Sequence, residues 1–431
     1  MILFALSFLL ILVFMFYQRY FIFALMLFFA LFDMFDGFYK DEKVFAAIRY
    51  AVPLSLTVVY IFRYNVLRSR DQLLLLLFVY LLILLIYTPG DLVLSAKITT
   101  SIILTLLMIP IGRQLGAEID FAKAFERFNR FLLIAIPVYV ISANVFHFGE
   151  SYSDDFSTGF LITSRMYLAP IVIFLAVHYV ITNKENSLLL KLVDMAFILI
   201  NICLIIIVTR RTSMGMLAVS LAVYTLFNRQ LFFRMALMLV ILGAALVFSY
   251  PLYEQRLNAQ LEQRERIQNI DTYEEEGRYL ETLFLMDFLE NRARTTQVLF
   301  GDRPFDTLRF GNWYFGYDRA IHSDINMILY STGVVGLLLF AAVFFRYFVA
   351  GIGGIPPEDK KLYYPLLLMF LIVLLPGRFI GTLTFAPLLM LLLSSAKYHT
   401  AEEELPEPEP EPTPSNEQAY YNSYLPKRTT I

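Results

Sequence analysis

The sequence predicts an all-α integral membrane protein with about 12–13 transmembrane helices and one large loop outside the membrane that contains amphipathic helices. Three observations predict it. Of 431 residues, 58% are hydrophobic and 17% charged, with a mean hydropathy of +0.63, a balance unlike that of soluble domains. The apolar residues fall in runs of about 20, the length that crosses a hydrocarbon core about 30 Å thick. The short connections between runs alternate between basic and acidic or neutral, as expected when basic loops stay in the cytoplasm.

Taken in order, charged and Pro/Gly breaks delimit spans at 2–17, 20–37, 44–62, 72–88, 92–112, 131–148, 161–182, 188–209, 212–227, 235–250, 326–349, 362–376 and 380–396. The first run lacks a basic leader and a small-residue cleavage site, so it reads as a retained span. Arg19, the Arg63–Arg70 group, the Arg113–Arg130 group, Lys184, Arg229, Arg234 and Lys360–Lys361 mark the cytoplasmic connections. Asp33–Glu42, Pro89–Asp91 and Glu150–Asp155 mark the opposite face. The count puts the N-terminus outside and the C-terminus inside.

The expected domains follow from these breaks. Residues 1–250 form a transmembrane bundle of about ten spans. Residues 251–325 form one hydrophilic loop on the outer face, and 326–397 hold the C-terminal transmembrane helices. Residues 398–431 form a disordered cytoplasmic tail with a Pro-Glu repeat at Pro406–Pro412. The loop opens with a polar helical stretch, Glu254–Ile270, followed by a helix at Gly277–Glu290. There Leu280, Leu283, Phe284, Phe288 and Leu289 recur at helical spacing, so one face can lie on the bundle or the membrane surface. Gly301–Arg319 is rich in Gly, Asp, Pro and aromatic residues.

Several chemistries are excluded. One cysteine, Cys203, permits neither a disulfide framework nor a thiolate metal site. The net charge of -2 says nothing about partners, and no basic patch interleaved with aromatics suggests nucleic acid. No Gly-rich phosphate loop, metal-spaced His pair or nucleophilic-serine elbow occurs, so no cofactor and no metal are expected.

Arg210 and Arg211 interrupt an otherwise apolar stretch from 188 to 227, at the outer end of two spans joined by a tight turn. A cation at that depth costs several kcal/mol unless paired or hydrated. One reading is an interfacial turn whose arginines reach lipid headgroups. The other is an anion site, since the guanidinium fork matches phosphate. His322 lies where the long loop meets the next span, with Ser323 or Asp324 placed to orient it. Imidazole titrates near neutrality and suits proton abstraction from a hydroxyl. His147, just past a span on the outer side, is its competitor; His178 lies within a span and His399 beside the tail. Arg278 opens the loop helix, as an anion ligand or as a surface partner of Glu274 or Glu281. Arg165 and Arg378 are outer-end cations of second rank. Asp194, the one acid deep in a later span, is expected to pair with Lys191.

Together these residues show a resemblance. An Arg-containing turn and apolar span (Thr209–Met216) are followed by a large outer loop with Gly277-Arg278 opening a helix. Leu299-Phe-Gly301 comes next, then His-Ser-Asp-x-x-x-x-Leu-x-x-x-Gly-x-x-Gly from His322 to Gly336. This order resembles the O-antigen polymerase and O-antigen ligase superfamily, polytopic glycosyltransferases of the GT-C type. It is closest over about 205–345 and only topological elsewhere. The resemblance implies a polyprenyl-diphosphate-linked glycan as donor and another as acceptor, at the periplasmic face of the bacterial inner membrane. Arg210, Arg211 and Arg278 would hold the donor diphosphate. His322 would activate the acceptor hydroxyl, with inversion, no covalent enzyme intermediate and no metal. Besides membrane lipids, a chain-length regulator is a candidate partner. Serine after the histidine favours a polymerase over the alternative, a ligase transferring finished glycan to lipid A core. A lipid-linked oligosaccharide flippase is the reading from another class. Such transporters commonly carry internal repeats and midplane charges, which this chain lacks.

Overall fold

The computed structural model describes residues 1–39, 42–87, 90–149, 156–208, 211–228, 277–375 and 378–399, with single positions between 233 and 258. The described chain is helical and without strands. We number its α-helices α1 (Ile2–Phe16), α2 (Phe21–Phe35), α3 (Lys43–Arg63), α4 (Gln72–Ile86), α5 (Leu92–Glu118), α6 (Phe121–Val145), α7 (Leu168–Thr182), α8 (Leu188–Ile207) and α9 (Arg211–Phe227). After the loop's first half come α10 (Gly277–Asp287), α11 (Thr295–Phe300), α12 (Leu308–Phe315), α13 (Asp324–Phe344), α14 (Pro357–Leu374) and α15 (Ala386–Lys397). Among the described residues, eight helical segments are long and apolar enough to cross a membrane. The chain is an all-α, multi-pass membrane protein.

Every expected span that falls on described residues contains a helix. The span at 235–250, the polar stretch at Glu254–Ile270 and the tail from Thr400 lie outside the described residues. Several boundaries differ: the helix of the 362–376 span begins at Pro357, and that of the 380–396 span only at Ala386. The 92–112 span runs on to Glu118, and the 131–148 span begins at Phe121, where Asp120 caps the helix by accepting from the Lys123 amide at 3.0 Å. The charged run expected as a connection is therefore helical. Arg130 turns inward to meet Asp194 at 2.8 Å and Glu126 at 2.8 Å. Asp194 thus pairs across helices with Arg130 rather than with Lys191. A buried carboxylate needs a cation with several donors, which a guanidinium supplies.

Close packing uses small residues. A Cβ on Gly112 of α5 would stand 2.6 Å from the Leu391 carbonyl of α15, and one on Gly116 would stand 2.4 Å from that of Ser395. With no hydrophobic drive between helices in lipid, such backbone approach maximises dispersion contact. α13 is broken at Gly333 (φ 64°, ψ -172°), and α11 fits the notch. The freed carbonyl of Tyr330 accepts from the Asp302 amide at 3.0 Å, and that of Thr332 from the Tyr80 hydroxyl at 2.5 Å. Broken backbone at membrane depth survives only when its polar groups are satisfied in this way.

Polar contacts define two ends of the bundle. At one, buried Arg113 binds Asp71 at 2.5 Å, and Lys397 donates to the carbonyls of Tyr347 and Ala350 at 2.6 Å. His399, at the start of the expected tail, reaches Asp359 at 3.0 Å. At the other, Asp306 of the loop accepts from the Asp91 amide at 3.1 Å, and Ser164 meets Thr382 at 3.0 Å. The loop helices α10–α12 belong to this second end, termed the loop end below.

Candidate functional site

α10 buries one face and exposes the other. Its buried stripe is Glu281 (1% exposed), Leu285 (0%) and, in the π turn that continues it, Phe288 (3%). This differs from the expected stripe, since Leu283 is 45% exposed. A helix that buries positions 281, 285 and 288 cannot also bury 283. The result is a glutamate carried into the protein at the loop end.

Glu281 meets the segment between α12 and α13. Its Oε2 accepts from the backbone N–H of His322 at 2.9 Å, and its Oε1 lies 2.8 Å from His322 Nδ1. The same Oε1 accepts from Arg319 Nη2 at 2.9 Å and Nε at 3.2 Å. Burial pushes the Glu281 carboxyl up, but the His322 hydrogen bonds and the charges of His322 and Arg319 outweigh it and hold the group below its ordinary value. An ionised carboxylate only accepts, so Nδ1 is the nitrogen that donates to it, and Nε2 is the ring nitrogen left facing away from the pair. His322 keeps a 39% exposed side chain and has no Nε2 partner among the described residues. The arrangement is a carboxylate-oriented imidazole with a guanidinium balancing the carboxylate, the geometry of a general base.

Asp324 departs from its expected role. It does not orient His322. It is buried at the start of α13, where it accepts from the backbone amides of Phe379 at 2.5 Å and Ile380 at 3.2 Å. Those amides follow Arg378, so Asp324 fastens the Arg378 turn beside the His322 segment. Ser323 is the N-cap of α13 and makes no side-chain cap bond. Arg165 also departs from the anion-ligand role. Its guanidinium donates to Asp36 at 2.8 and 2.9 Å and to the carbonyls of Asp33 and Phe160 at 3.1 Å. Arg49 reaches the same Asp33 at 2.5 Å, and the Thr384 hydroxyl also donates to it. Every terminal nitrogen of Arg165 has an internal partner, which makes it a clamp between helices.

Arg211 is the exposed first residue of α9, which packs antiparallel on α14 and so begins near Leu375 at the loop end. Arg210 and the side chain of Arg278 lie outside the described residues, although Gly277-Arg278 does open a helix. The structure thus places His322 two residues before Asp324, which binds the backbone just after Arg378, and puts Arg211 at the same end. His147 is exposed just past α6 with a left-handed backbone (φ 52°), and His178 is bound to Tyr224 at 3.0 Å inside the bundle.

The glycines of the quoted motifs have a packing reason. A Cβ on Gly301 would stand 2.3 Å from the Ser331 carbonyl, and one on Gly333 would stand 2.4 Å from the Leu299 backbone. Leu299-Phe-Gly301 and Gly333 are two halves of one contact, and it fixes the loop on α13. Among the described residues no cluster of three metal-ligating side chains occurs.

Glu281 and Arg319 are the site residues that sequence reasoning missed. The signal was present: Glu281 is the single acid on the stripe shared with Leu285 and Phe288. Against models of protein families, curated proteins and solved structures, the chain has no significant match in any of the three comparisons.

Proposed function

We propose that the chain is a glycosyltransferase that joins polyprenyl-diphosphate-linked oligosaccharide repeat units, at the periplasmic face of the bacterial inner membrane. The observation that carries this reading is the His322–Glu281 pair, a base oriented by a carboxylate, on a loop at one end of a membrane bundle. Such a position suits a substrate whose reacting group sits at headgroup depth while its lipid stays in the bilayer.

In this reading His322 Nε2 takes the proton of the acceptor hydroxyl. The hydroxyl oxygen then bonds to the donor's anomeric carbon from the face opposite the diphosphate, with inversion. The bond from that carbon to the diphosphate oxygen breaks, and the electron pair leaves with the diphosphate. Arg210, Arg211 and Arg278 offset the charge on the leaving group, with Arg378 in support. Glu281 keeps the imidazole in the tautomer that can accept a proton and stabilises the imidazolium formed. Positioning two lipid-tethered chains supplies much of the remaining acceleration.

Deleting the gene in its host and resolving the glycolipid on a gel tests the reading. Loss of a polymerase leaves single repeats attached to core. Polymer stranded on the carrier lipid would instead indicate a ligase, and lipid-linked repeats confined to the inner leaflet a flippase.

A further inference from the structure

Arg319 has one face turned to the catalytic pair and another turned away. Its Nε and Nη2 are fixed on Glu281, while Nη1 has only a 3.4 Å contact with the Tyr317 hydroxyl among the described residues. The guanidinium lies 4.4 Å over the Phe315 ring, and the Phe315 and Tyr317 rings are 6.3 Å apart. α12 ends at Gly316 in the left-handed region (φ 74°), which turns the chain back. Tyr317 is nevertheless 56% exposed.

We infer that Tyr317 and Arg319 Nη1 form a sugar subsite that receives the first pyranose of the acceptor, next to the hydroxyl that His322 deprotonates. A pyranose has a C–H face that packs on an aromatic ring and a rim of hydroxyls that accept from a guanidinium. Tyr317 offers such a ring, rigid and amphipathic, and Nη1 offers the donor beside it. Because Arg319 Nη2 and His322 Nδ1 share Glu281 Oε1, a sugar seated there lies alongside the imidazole. The inference rests on the proposed function for the identity of the acceptor. The subsite itself is a claim about sugar binding and stands apart from catalysis.

The test uses full-length protein in nanodiscs and two readouts. The first is binding of the free oligosaccharide repeat, released from the host's own glycolipid and carrying neither lipid nor diphosphate, followed by saturation-transfer NMR. Tyr317→Ala is expected to weaken it about tenfold, and Tyr317→Phe to recover most of the loss. The second is transfer between synthetic lipid-linked repeats, where Tyr317→Ala raises the acceptor KM by a similar factor, leaves the donor KM unchanged and holds kcat within about twofold. A melting temperature equal to wild type excludes a folding effect. If wild type transfers sugar but Tyr317→Ala leaves both readouts unmoved, the subsite is wrong and the function stands. If wild type shows Tyr317-dependent sugar binding without transfer, the function is wrong and the subsite stands. A Tyr317→Ala loss confined to binding of empty anionic vesicles would make the ring a membrane anchor and overturn the subsite.

Discussion

One oxygen of Glu281 takes hydrogen bonds from two residues of the same short segment, His322 at 2.8 Å and Arg319 at 2.9 Å. The carboxylate belongs to α10 and both donors precede α13, so this contact joins the loop to the membrane bundle and orients the imidazole.

Glu281→Gln keeps the shape of the contact and removes its charge. Transfer is expected to fall by about 10–100-fold in kcat, part of the 10²–10⁴ a positioned base supplies, with KM little changed. Glu281→Ala leaves Arg319 without its partner and should also destabilise the protein by about 3–5 kcal/mol, the usual cost of breaking a buried ion pair. Steady-state kinetics and melting in detergent measure both effects.

Acid should loosen the same contact. The Glu281 pKa is held below its ordinary value of 4.5. A group depressed on folding stabilises fully above its unfolded pKa and loses that contribution as pH falls through the folded one. Proteolysis of the loop should therefore be constant at neutral pH and rise below about pH 4.5. Glu281→Gln should flatten that rise; an identical acid response in the variant would assign it to another group.

Asp324 is a structural acid in this account. Asp324→Ala strands the amides of Phe379 and Ile380 and should cost about 2–4 kcal/mol. Asp324→Asn, which can still accept one of them, should cost less. The pH dependence of kcat in Asp324→Asn should match wild type; a displaced profile would mean that Asp324 titrates with the reaction.

Gly333→Ala introduces a Cβ 2.4 Å from the Leu299 backbone at a residue with φ 64°. The expected loss is about 1–3 kcal/mol, with faster proteolysis between α11 and α13. Gly353→Ala, where a Cβ meets nothing within 4 Å, is the control.

The spans were legible because hydrocarbon thickness imposes a length on each apolar run, and every expected span on described residues contains a helix. The boundaries near Glu118 and Phe121 were less so. Charged residues there read as a connection, yet Glu126 and Arg130 stay helical because Asp194 and two asparagines, Asn183 and Asn186, meet them across the bundle. The position of His322 at the junction of loop and span was legible. Its partner was not, since Asp324 is two residues away in sequence while Glu281 lies 41 residues earlier. Local spacing cannot rank a distant acid over a near one. Arg165 looked like a ligand because sequence does not reveal that Asp33 and Asp36 fold back on it.

The most direct measurement is glycosyl transfer by purified wild-type protein, His322→Ala and Glu281→Gln on a synthetic polyprenyl-diphosphate repeat, with all three shown to be folded by melting. The account predicts extension by wild type, with or without chelator. It predicts a loss of about 10²–10⁴-fold in His322→Ala and an intermediate loss in Glu281→Gln. Undiminished extension by folded His322→Ala would contradict it.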